Sequence, residues 1–411
     1  MTGPVCLVEY NGFPGNTPDL VAVAQRHGHE VVVATSTPTA ASDALPADVE
    51  LVAVDTTDGD AVAAALEGRG AAAVLTAHDF YVPAAAVAAA RLGLPGPDPV
   101  AAHRCRRKDE QRRRLADHGV LQPRFDVAAT AEDAVAVAMS IGFPVVVKPV
   151  ALADSIGVRL CDDADAVLTH ANALARFRPR RPVPGHIAGE LMVESVLTGP
   201  EFTVEVFEGR AVAIAETRHA PPPGFIEAEH VVASPHDADT GAEHAGLKDA
   251  AETAVAALGL GFGPVHVELR ITELGPAIVE VNARLAGGWI PRLHQVTHGI
   301  DLWEMWLCAA LGQEVEVAVT HDRAGVLRIV YLADSTAQPT SRVRTSGFSG
   351  ELVLNPTTPE VTGRPTYNSE HAGLAIATGP TAADCLRQLD DLWDQLERQL
   401  PIWRPSASVR L

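Results

Sequence analysis

The segment GPVHVELRITELGPAIVEVNAR, residues 263–284, contains two runs in which apolar and polar side chains alternate, separated by the turn signal TELGP. Such alternation is typical of strands that bury one face. In the second run Glu280, Asn282 and Arg284 occupy every second position, so we expect them in one row. The side chains expected on the opposite, core-facing side are Val279, Val281 and Ala283. The segment therefore predicts a β-hairpin with one polar face.

The predicted turn sets which residues lie opposite each other. A loop at 273–275 pairs Glu268 with Glu280 and His266 with Asn282. The other pairs of this register are Arg270 with Ile278 and Thr272 with Pro276. Opposed Cβ atoms lie roughly 4.5–5.5 Å apart, where like charges destabilise a sheet. A divalent cation bound by Glu268, Glu280 and Asn282 would offset the repulsion, and Mg²⁺ favours such oxygen ligands together with substrate phosphates. Arg284 would lie beside those phosphates. The alternative is an ordinary solvated strand face.

Two features after the hairpin favour an anion site. Gly287 and Gly288 would let backbone N–H groups approach an anion closely. The segment IPRLHQVTHG, residues 290–299, can begin a helix whose N-terminus favours negative charge.

A lysine ends the apolar strand predicted at FPVVVKPV, residues 143–150. A buried lysine needs a partner or solvent, and a bound phosphate would serve Lys148. The alternative is a side chain that reaches water from the strand end. The loop after it, with Ser155 and Gly157, could add donors to a phosphate site. Its spacing differs from a Walker A loop, which excludes P-loop chemistry.

Composition narrows the class of protein. The chain has 411 residues and a formal charge of −20. This length exceeds what one hydrophobic core serves, so we expect several domains. The negative charge argues against nucleic acid and membrane surfaces as partners. No signal-peptide pattern opens the sequence and no apolar run reaches the roughly 18–20 residues of a spanning helix, so we expect a cytoplasmic protein. Five scattered cysteines predict free thiols.

The order of predicted strands and helices along the chain is typical of an α/β protein. Residues 4–100 alternate short apolar strands with helical stretches near 18–27, 59–67 and 82–92, which is typical of a parallel sheet with crossover helices. No G-x-G-x-x-G follows the first strand, so NAD is not predicted. A basic helix is predicted over 104–118. From about residue 325 the pattern is β-rich, and it closes on the helix AADCLRQLDDLWDQLERQL.

Taken in chain order, the strand with Lys148 and its loop, VESVLTGPEFTVEV, HVEL and VEVNAR resemble the ATP-grasp superfamily over nearly the whole chain. The resemblance implies an α/β fold, α+β in its two grasping lobes. Its implied parts are a Rossmann-like pre-ATP-grasp domain (1–103), a linker helix and small lobe acting as a lid (104–197), a large lobe with the metal site (198–324), and a C-terminal β-rich lobe with the final helix (325–411). It also implies ATP and Mg²⁺, or Mn²⁺ in its place, as cofactors.

The resemblance assigns roles to single residues. Those implied to contact ATP are Lys108 and Lys148 at the phosphates, Ser155 and Gly157 in the loop above them, Glu194, Ser195 and Leu197 beside the adenine, and Glu201 at the ribose. The implied metal ligands are Glu268, Glu280 and Asn282. Arg284 would steady the transferred phosphate, and Gly287 and Gly288 would help it to hold the oxyanion.

The segments LGLPG and HAGLAIATGPTAADCL are similar to the L-amino-acid ligase branch, which makes dipeptides. This branch implies an enzyme that joins the carboxylate of one amino acid to the amine of another through an acyl phosphate, so the expected partners are a small-molecule carboxylate and amine. The chain could also form a homodimer. His230 matches a substrate-facing histidine, and Arg218 and Trp289 are further candidate substrate contacts. The loop at 150–157 departs from the family in having a single glycine.

Other functions share parts of the pattern. A non-catalytic ATP-binding sensor could use the same fold, although the complete set of metal ligands and Arg284 argue against it. A carboxylase, or a ligase of other acids, is a sibling within the fold, but no biotinyl lysine motif is present. A zinc hydrolase would need His266, His230 and the glutamates, yet H-x-E in a strand lacks a third well-spaced ligand. The sequence identifies neither the two substrates nor a general base.

Overall fold

The computed structural model describes residues 3–10, 16–42, 45–178, 186, 188–234, 241–333, 343, 345–355, 365 and 368–404. Within these residues the strands form three sheets, one of them entirely parallel and two antiparallel.

The N-terminal sheet has four parallel strands in the order β3-β2-β1-β4. Parallel strands need crossover connections, which the helices supply. The elements are β1 (Val5–Val8), α1 (Asn16–Arg26), β2 (Val31–Thr35), α2 (Pro38–Ser42), β3 (Glu50–Ala53), α3 (Gly59–Leu66), β4 (Ala73–Leu75), a 3₁₀ turn (Asp79–Tyr81) and α4 (Val82–Arg91). The predicted parallel unit is confirmed, and its three predicted helices lie close to their expected bounds.

The helix predicted over 104–118 is observed as two helices, α5 (Pro99–Arg106) and α6 (Lys108–Asp117). They break at Arg107, whose backbone is extended with φ −102° and ψ 111°. Ion pairs of the Arg107 guanidinium with Asp109 (3.1 Å) and Glu190 (2.8 Å) hold the break. The single-helix prediction was wrong because these tertiary contacts override helix propensity. The break places Lys108 at the start of α6.

The second sheet, with the strand order β5-β8-β6-β7, forms the small lobe. The elements are β5 (Phe125–Ala128), α7 (Ala131–Ile141), β6 (Val145–Pro149), β7 (Arg159–Cys161), α8 (Ala164–Arg176) and β8 (Leu191–Ser195). Helices α7 and α8 pack against Val145, Val147 and Val193 on one face. Alternation along β6 and β8 therefore turns Lys148 and Glu194 to the other face.

The third sheet has eight antiparallel strands in the order β13-β12-β9-β10-β11-β14-β16-β15. The elements are β9 (Glu201–Phe207), β10 (Arg210–His219), β11 (Glu227–Val232), α9 (Gly241–Leu258), β12 (Pro264–Thr272), β13 (Gly275–Asn282), α10 (Ile290–His298), α11 (Leu302–Ala310), β14 (Ala324–Val330), β15 (Glu351–Leu354), a 3₁₀ turn (Asn368–Glu370), β16 (Gly373–Gly379) and α12 (Ala382–Glu397). Helix α9 covers β9, β12 and β13 through a core that includes Leu247, Val255 and Val267.

The C-terminal strands extend this large sheet instead of forming one of their own. β14 pairs with β11, and β16 pairs with β14. The division expected after residue 324 thus cuts a continuous sheet, and the one expected after residue 103 falls inside α5. We propose three structural units instead, with boundaries near Arg107 and Ser195.

The β12–β13 hairpin has the predicted pairs at Glu268 and His266, but its turn is shorter than predicted. Thr272 pairs with Gly275, so the loop contains only Glu273 and Leu274. The predicted pairs near the turn were therefore wrong, because Arg270 lies opposite Ala277 and Ile271 opposite Pro276. A β-bulge, in which one strand carries an extra residue, then corrects the register. Beyond it the predicted pairs Glu268–Glu280 and His266–Asn282 are confirmed.

The bulge also changes which side chains reach the core. The register shifts between Glu268 and Leu269, where Val279 is the extra residue. Ile278 takes the core position and Val279 lines a cavity, so the prediction that Val279 faces the core was wrong. Val281 lies in the core as predicted.

Candidate functional site

A cavity of about 490 Å³ is lined by side chains from all three units, a volume typical of small-molecule sites. The predicted site residues that line it are Lys108, Lys148, Ser155, Glu194, Ser195, Leu197, Glu201, His230, Glu268, Glu280, Asn282, Arg284, Gly287 and Gly288. The ones that do not are Gly157, Arg218 and Trp289. The structure thus brings together most of the residues that the sequence singled out.

Two opposed carboxylates occupy one wall of the cavity. Glu268 and Glu280 pair directly across the hairpin. Burial, and then the charge of Glu280, raise the pKa of Glu268. Lys108 Nζ lies 2.9 Å from Glu280 Oε1, and His266 Nε2 lies 3.6 Å from Glu268 Oε1. A lysine and a histidine therefore offset the repulsion that the register creates.

His266 is held by a second buried carboxylate. Its Nδ1 lies 2.6 Å from Glu205 Oε1, behind the pair of opposed carboxylates. Burial alone would lower the pKa of His266, but Glu205 and Glu268 raise it to about 10. The ring is thus protonated and both nitrogens donate. Glu205 fixes the ring so that Nε2 faces Glu268.

Lys148 belongs to a buried cluster of three charges. Its Nζ lies 2.7 Å from Glu194 Oε2, and Arg112 Nε donates to Glu194 Oε1 at 2.7 Å. Burial lowers the pKa of Lys148. Burial alone would raise the pKa of Glu194, but Arg112 and Lys148 lower it to about 2. With one anion and two cations, the cluster keeps an excess positive charge on this wall.

Lysine is rare in this chain, which makes its placement informative. The sequence contains lysine only at positions 108, 148 and 248. Lys108 and Lys148 are buried, whereas Lys248 is exposed on α9. Charged lysines are almost never fully buried without a partner. Two of the three lysines therefore lie where an anion in the cavity would neutralise them.

The loop at 150–157 makes left-handed turns without extra glycines. Asp154 and Ser155 have φ values of 58° and 57°, and Gly157 has 74°. Aspartate tolerates this region better than most residues. The backbone N–H of Asn368 donates to the Asp154 carbonyl at 3.1 Å, and Asn368 Nδ2 lies 3.4 Å from Ser155 Oγ. Asn368, from the C-terminal part of the chain, thus holds the loop at Asp154 and Ser155. The loop has only one of the several glycines that are usual in the family.

Glu201 is buried between two partners from neighbouring strands. Arg270 Nη2 lies 2.7 Å from Oε2, and His219 Nε2 lies 3.0 Å from Oε1. Burial alone would raise the pKa of Glu201, but His219 and Arg270 lower it to about 2. Each carboxylate oxygen can accept a further hydrogen bond. The predicted ribose contact is compatible with this arrangement and stays a prediction.

Arg284 and the glycine pair lie after β13, at the start of α10. The Arg284 side chain donates from Nη1 to the Leu285 carbonyl at 2.7 Å. Gly288 has φ 62°, and α10 begins at Ile290, as the sequence predicted. Among the described residues, no protein acceptor binds the backbone N–H of Gly287 or Gly288. These N–H groups and the helix N-terminus can therefore serve an anion.

A further part of the cavity wall contains His230 and an acid. His230 Nδ1 lies 3.2 Å from Thr217 Oγ1, and Nε2 lies 3.1 Å from Glu227 Oε2. Asn368 Nδ2 donates to Glu227 Oε1 at 2.9 Å. Apolar side chains of Ile290, Ile329 and Leu374 line the cavity as well. This part of the cavity wall combines a carboxylate, an imidazole and an aliphatic surface.

Three predicted site residues lie outside the cavity wall. Arg218 pairs with Glu216 (3.0 Å) and Glu229 (3.5 Å), whereas its neighbours Thr217 and His219 line the cavity. Trp289 packs into a hydrophobic cluster of the large sheet, and Gly157 lies against Leu174 and Pro149. The placement of Arg218 and Trp289 does not support the expected substrate contacts.

Several cavity residues were missed by sequence reasoning. They are Arg112, His219, Glu227, Arg270 and Asn368. Alternation along β12 could have found Arg270, two residues after Glu268. Arg112 and Asn368 come from distant elements, and no local pattern indicates them.

Comparisons with known proteins place this chain in a family. Residues 141–292 match the family described as the ATP-grasp domain. The uncharacterised protein y4rH of Sinorhizobium fredii (strain NBRC 101917 / NGR234) is 30% identical over 383 residues, covering 87% of this chain and 78% of that protein. This chain belongs to the ATP-grasp superfamily. These matches confirm the resemblance and the fold class inferred from the sequence, and the superfamily supports an enzyme of the carbon–nitrogen ligase kind.

Other ATP-grasp relatives support the L-amino-acid ligase branch. The alanine–anticapsin ligase of Bacillus subtilis (strain 168) is 28% identical over 256 residues, covering 58% of this chain and 53% of that ligase. The solved L-amino acid ligase from Bacillus licheniformis has a TM-score of 0.75 at 20% identity, with 98% of both chains covered. An N5-carboxyaminoimidazole synthetase from Staphylococcus aureus, complexed with ADP, has a TM-score of 0.72 at 13% identity, with 96% of both chains covered. The fold is thus shared with enzymes that carboxylate.

ATP and Mg²⁺ are the cofactors of ATP-grasp enzymes, and the side chains present fit them. Two carboxylates and the amide of Asn282 match a magnesium site completed by phosphates. Within the described ranges, no group of three or more His, Cys, Asp or Glu could hold a metal ion. That result gives no support to the zinc alternative. Also within these ranges, no helix is long and apolar enough to cross a membrane.

Proposed function

We propose that this enzyme is an ATP-dependent ligase that joins the carboxylate of one amino acid to the amine of a second and releases ADP and phosphate. The observation that carries the proposal is the arrangement of one cavity. Lys108, Lys148 and Arg284 line it together with the opposed Glu268 and Glu280, and an acid–imidazole pair also lines it. The first set suits a nucleotide with a divalent cation, and the second suits a zwitterionic substrate.

The chemistry divides between these groups. A carboxylate oxygen of the first amino acid attacks the γ-phosphorus of ATP, the bond to the β-phosphate oxygen breaks, and an acyl phosphate forms. The amine of the second amino acid attacks the acyl carbon; phosphate leaves and the amine loses a proton. Lys108, Lys148 and Arg284 stabilise the developing phosphoryl charge, and Mg²⁺, when bound, supplies further neutralisation. The N–H groups of Gly287 and Gly288 would stabilise the oxyanion of the second step.

The substrate class is inferred from the cavity wall around Glu227. Its Oε2 lies near a ring nitrogen of His230 and its Oε1 accepts from Asn368, and each oxygen can accept a further hydrogen bond from an α-ammonium group. Ile290, Ile329 and Leu374 favour an aliphatic side chain on one of the two substrates. The alanine–anticapsin ligase, whose name specifies alanine, supports a small amino acid as a substrate.

The test is a screen of amino-acid pairs with MgATP, read out as phosphate release and product mass. We expect release to require two amino acids and to yield a product lighter by one water than their sum. E280Q should lower turnover by about a hundredfold or more, because it removes a charged metal ligand. E273Q is the matched control, since Glu273 lies exposed in the turn of the same hairpin. Release that depends on bicarbonate in place of an amine would contradict the proposal in favour of a carboxylase.

A further inference from the structure

A buried carboxylate of the N-terminal unit contacts two arginines at the edge of the cavity. Asp79 is 6% exposed and begins the 3₁₀ turn before α4. Its Oδ2 accepts a hydrogen bond from Arg106 Nη1 (2.5 Å), and its Oδ1 lies 3.4 Å from Arg284 Nε. Burial alone would raise the pKa of Asp79, but Arg106 and Arg284 lower it to about 2. Asp79 is therefore an anion that faces Arg284 across the boundary between two units.

The contact with Asp79 restricts the Arg284 side chain, whereas the backbone of Arg284 belongs to no helix or strand. Arg284 lies in a bend two residues after β13 ends. Asp79 approaches Nε, and the Leu285 carbonyl accepts from Nη1. In the described part of the chain, Arg284 Nη2 has no protein acceptor. Two of the three guanidinium nitrogens are thus committed to protein, and the third remains for a ligand of the cavity that Arg284 lines.

Asp79 also competes with the metal ligands for the same guanidinium. Burial lowers the pKa of Arg284, but nearby carboxylates raise it overall, with Asp79 first, then Asp154, and then Glu268 and Glu280. Without the Asp79 charge, the remaining anions near Arg284 are Asp154 of the loop and then Glu268 and Glu280 of the hairpin. A guanidinium bound to the two glutamates would occupy the oxygens that the metal needs. Asp79 therefore keeps Arg284 available and the carboxylates accessible.

The second arginine connects Asp79 to the loop after Lys148. Arg106 Nη2 donates to the Ala151 carbonyl at 2.8 Å, in the loop at 150–157. The Arg106 guanidinium also lies over the Phe80 ring, 4.9 Å from its centroid. One carboxylate thus contacts Arg284 and, through Arg106, the base of the loop at 150–157.

We propose that Asp79 is a positioning residue that holds the Arg284 guanidinium for the transferred phosphoryl group, so that the N-terminal unit takes part in phosphoryl transfer. The inference rests on the proposed function, since that function assigns Arg284 to the phosphoryl group. It goes beyond that function because it assigns a role to the N-terminal unit, in which the sequence predicted no ATP or metal ligand.

The test is a double-mutant cycle with D79N, R284A and the combined variant, assayed with the best amino-acid pair. D79N should lower kcat by about tenfold to a hundredfold, with the amino-acid KM changed by less than about threefold. In the R284A background, D79N should lower kcat by less than about twofold, because the interaction is already lost. D79E retains the charge and should recover part of the rate; it also replaces D79N if that variant does not fold. D60N is the control, since Asp60 forms an exposed ion pair with Arg91 (2.7 Å) in the same unit.

Two outcomes would overturn the inference while the proposed function stands: D79N with wild-type kcat, or an equal loss from D79N in both backgrounds. If the wild type forms no product with any pair, the proposed function fails and calorimetry tests Asp79 by itself. Magnesium adenylyl imidodiphosphate and MgADP are the probes. D79N and R284A should each reduce the preference for the triphosphate analogue, without adding in the double variant. An unchanged preference in D79N would overturn the inference.

Discussion

At the residue scale, three buried carboxylates around this cavity share one arrangement. Each lies between two basic side chains: Glu194 between Arg112 and Lys148, Glu201 between Arg270 and His219, and Asp79 between Arg106 and Arg284. A lone buried charge is costly, and pairing reduces that cost. Two basic groups for each of these three acids leave an excess of positive charge in each cluster. This excess is what a polyphosphate requires in a chain whose total charge is −20.

These partners limit what the sequence alone could reveal. Alternation along one strand located Glu268 and Glu280, because side chains of one strand face follow a fixed period. Arg112 and Glu194 are separated by 82 residues, and Asp79 and Arg284 lie on different units. Such pairs depend on how the units pack. The two opposed glutamates were therefore predictable, and the charged partners from other elements were not.

Because of Glu194, we expect the enzyme to lose stability as the pH falls into the acid range. Its pKa is lowered from the ordinary 4.5 to about 2, so its stabilising contribution is complete above about pH 4.5 and is lost as the pH falls toward 2. The shift corresponds to about 3 kcal/mol. E194Q should be less stable at pH 7, and its free energy of unfolding should fall less between pH 5 and pH 3. Urea denaturation at each pH measures this. E273Q should keep the wild-type slope, and an E194Q slope equal to it would contradict the assignment.

At the element scale, the β12–β13 hairpin combines two compensating features. The loop is one residue shorter than predicted, and the bulge at Val279 adds one residue to β13. The bulged residue is also used, since the Val279 carbonyl accepts from Arg112 Nη2 at 2.5 Å. Turn signals in the sequence mark where a hairpin reverses but do not show a bulge, which tertiary contacts select. The pairing of Glu268 with Glu280 was thus predicted correctly, although the predicted pairs between these residues and the turn were wrong.

The turn between β8 and β9 gives an element-scale prediction. Gly199 has φ 111°, and a Cβ there would lie 2.0 Å from the Ile271 carbonyl oxygen. G199A should therefore destabilise the protein by about 3 kcal/mol or more and raise the KM for ATP, because Leu197 and Glu201 flank the turn. Thermal unfolding and ATP kinetics measure both effects.

Gly209 is the matched control for this turn. It also has a left-handed φ, 79°, but an added Cβ would meet nothing within 4 Å. G209A should cost only about 1–2 kcal/mol and leave the KM for ATP unchanged. Equal losses in G199A and G209A would show that backbone conformation alone, and not the approach of Ile271, fixes the turn.

At the scale of the whole molecule, one cavity draws on all three units. The small lobe supplies Lys148, the large sheet supplies Glu268 and Glu280, and the N-terminal unit supplies Asp79 behind Arg284. The order of motifs along the chain predicted the fold and the first two contributions. The sequence did not predict that β14 and β16 continue the large sheet, because strand pairing partners cannot be read from alternation alone.

The fate of the carboxylate oxygens distinguishes an acyl phosphate from hydrolysis of ATP by water. In the proposed reaction a carboxylate oxygen attacks the γ-phosphorus of ATP, and the amine later displaces phosphate from the acyl carbon. With the acid substrate labelled with ¹⁸O at both carboxylate oxygens, mass spectrometry should find one ¹⁸O in each phosphate released and one in the amide product. Phosphate without label, formed at the rate of ADP, would show that water attacks ATP and would contradict the account.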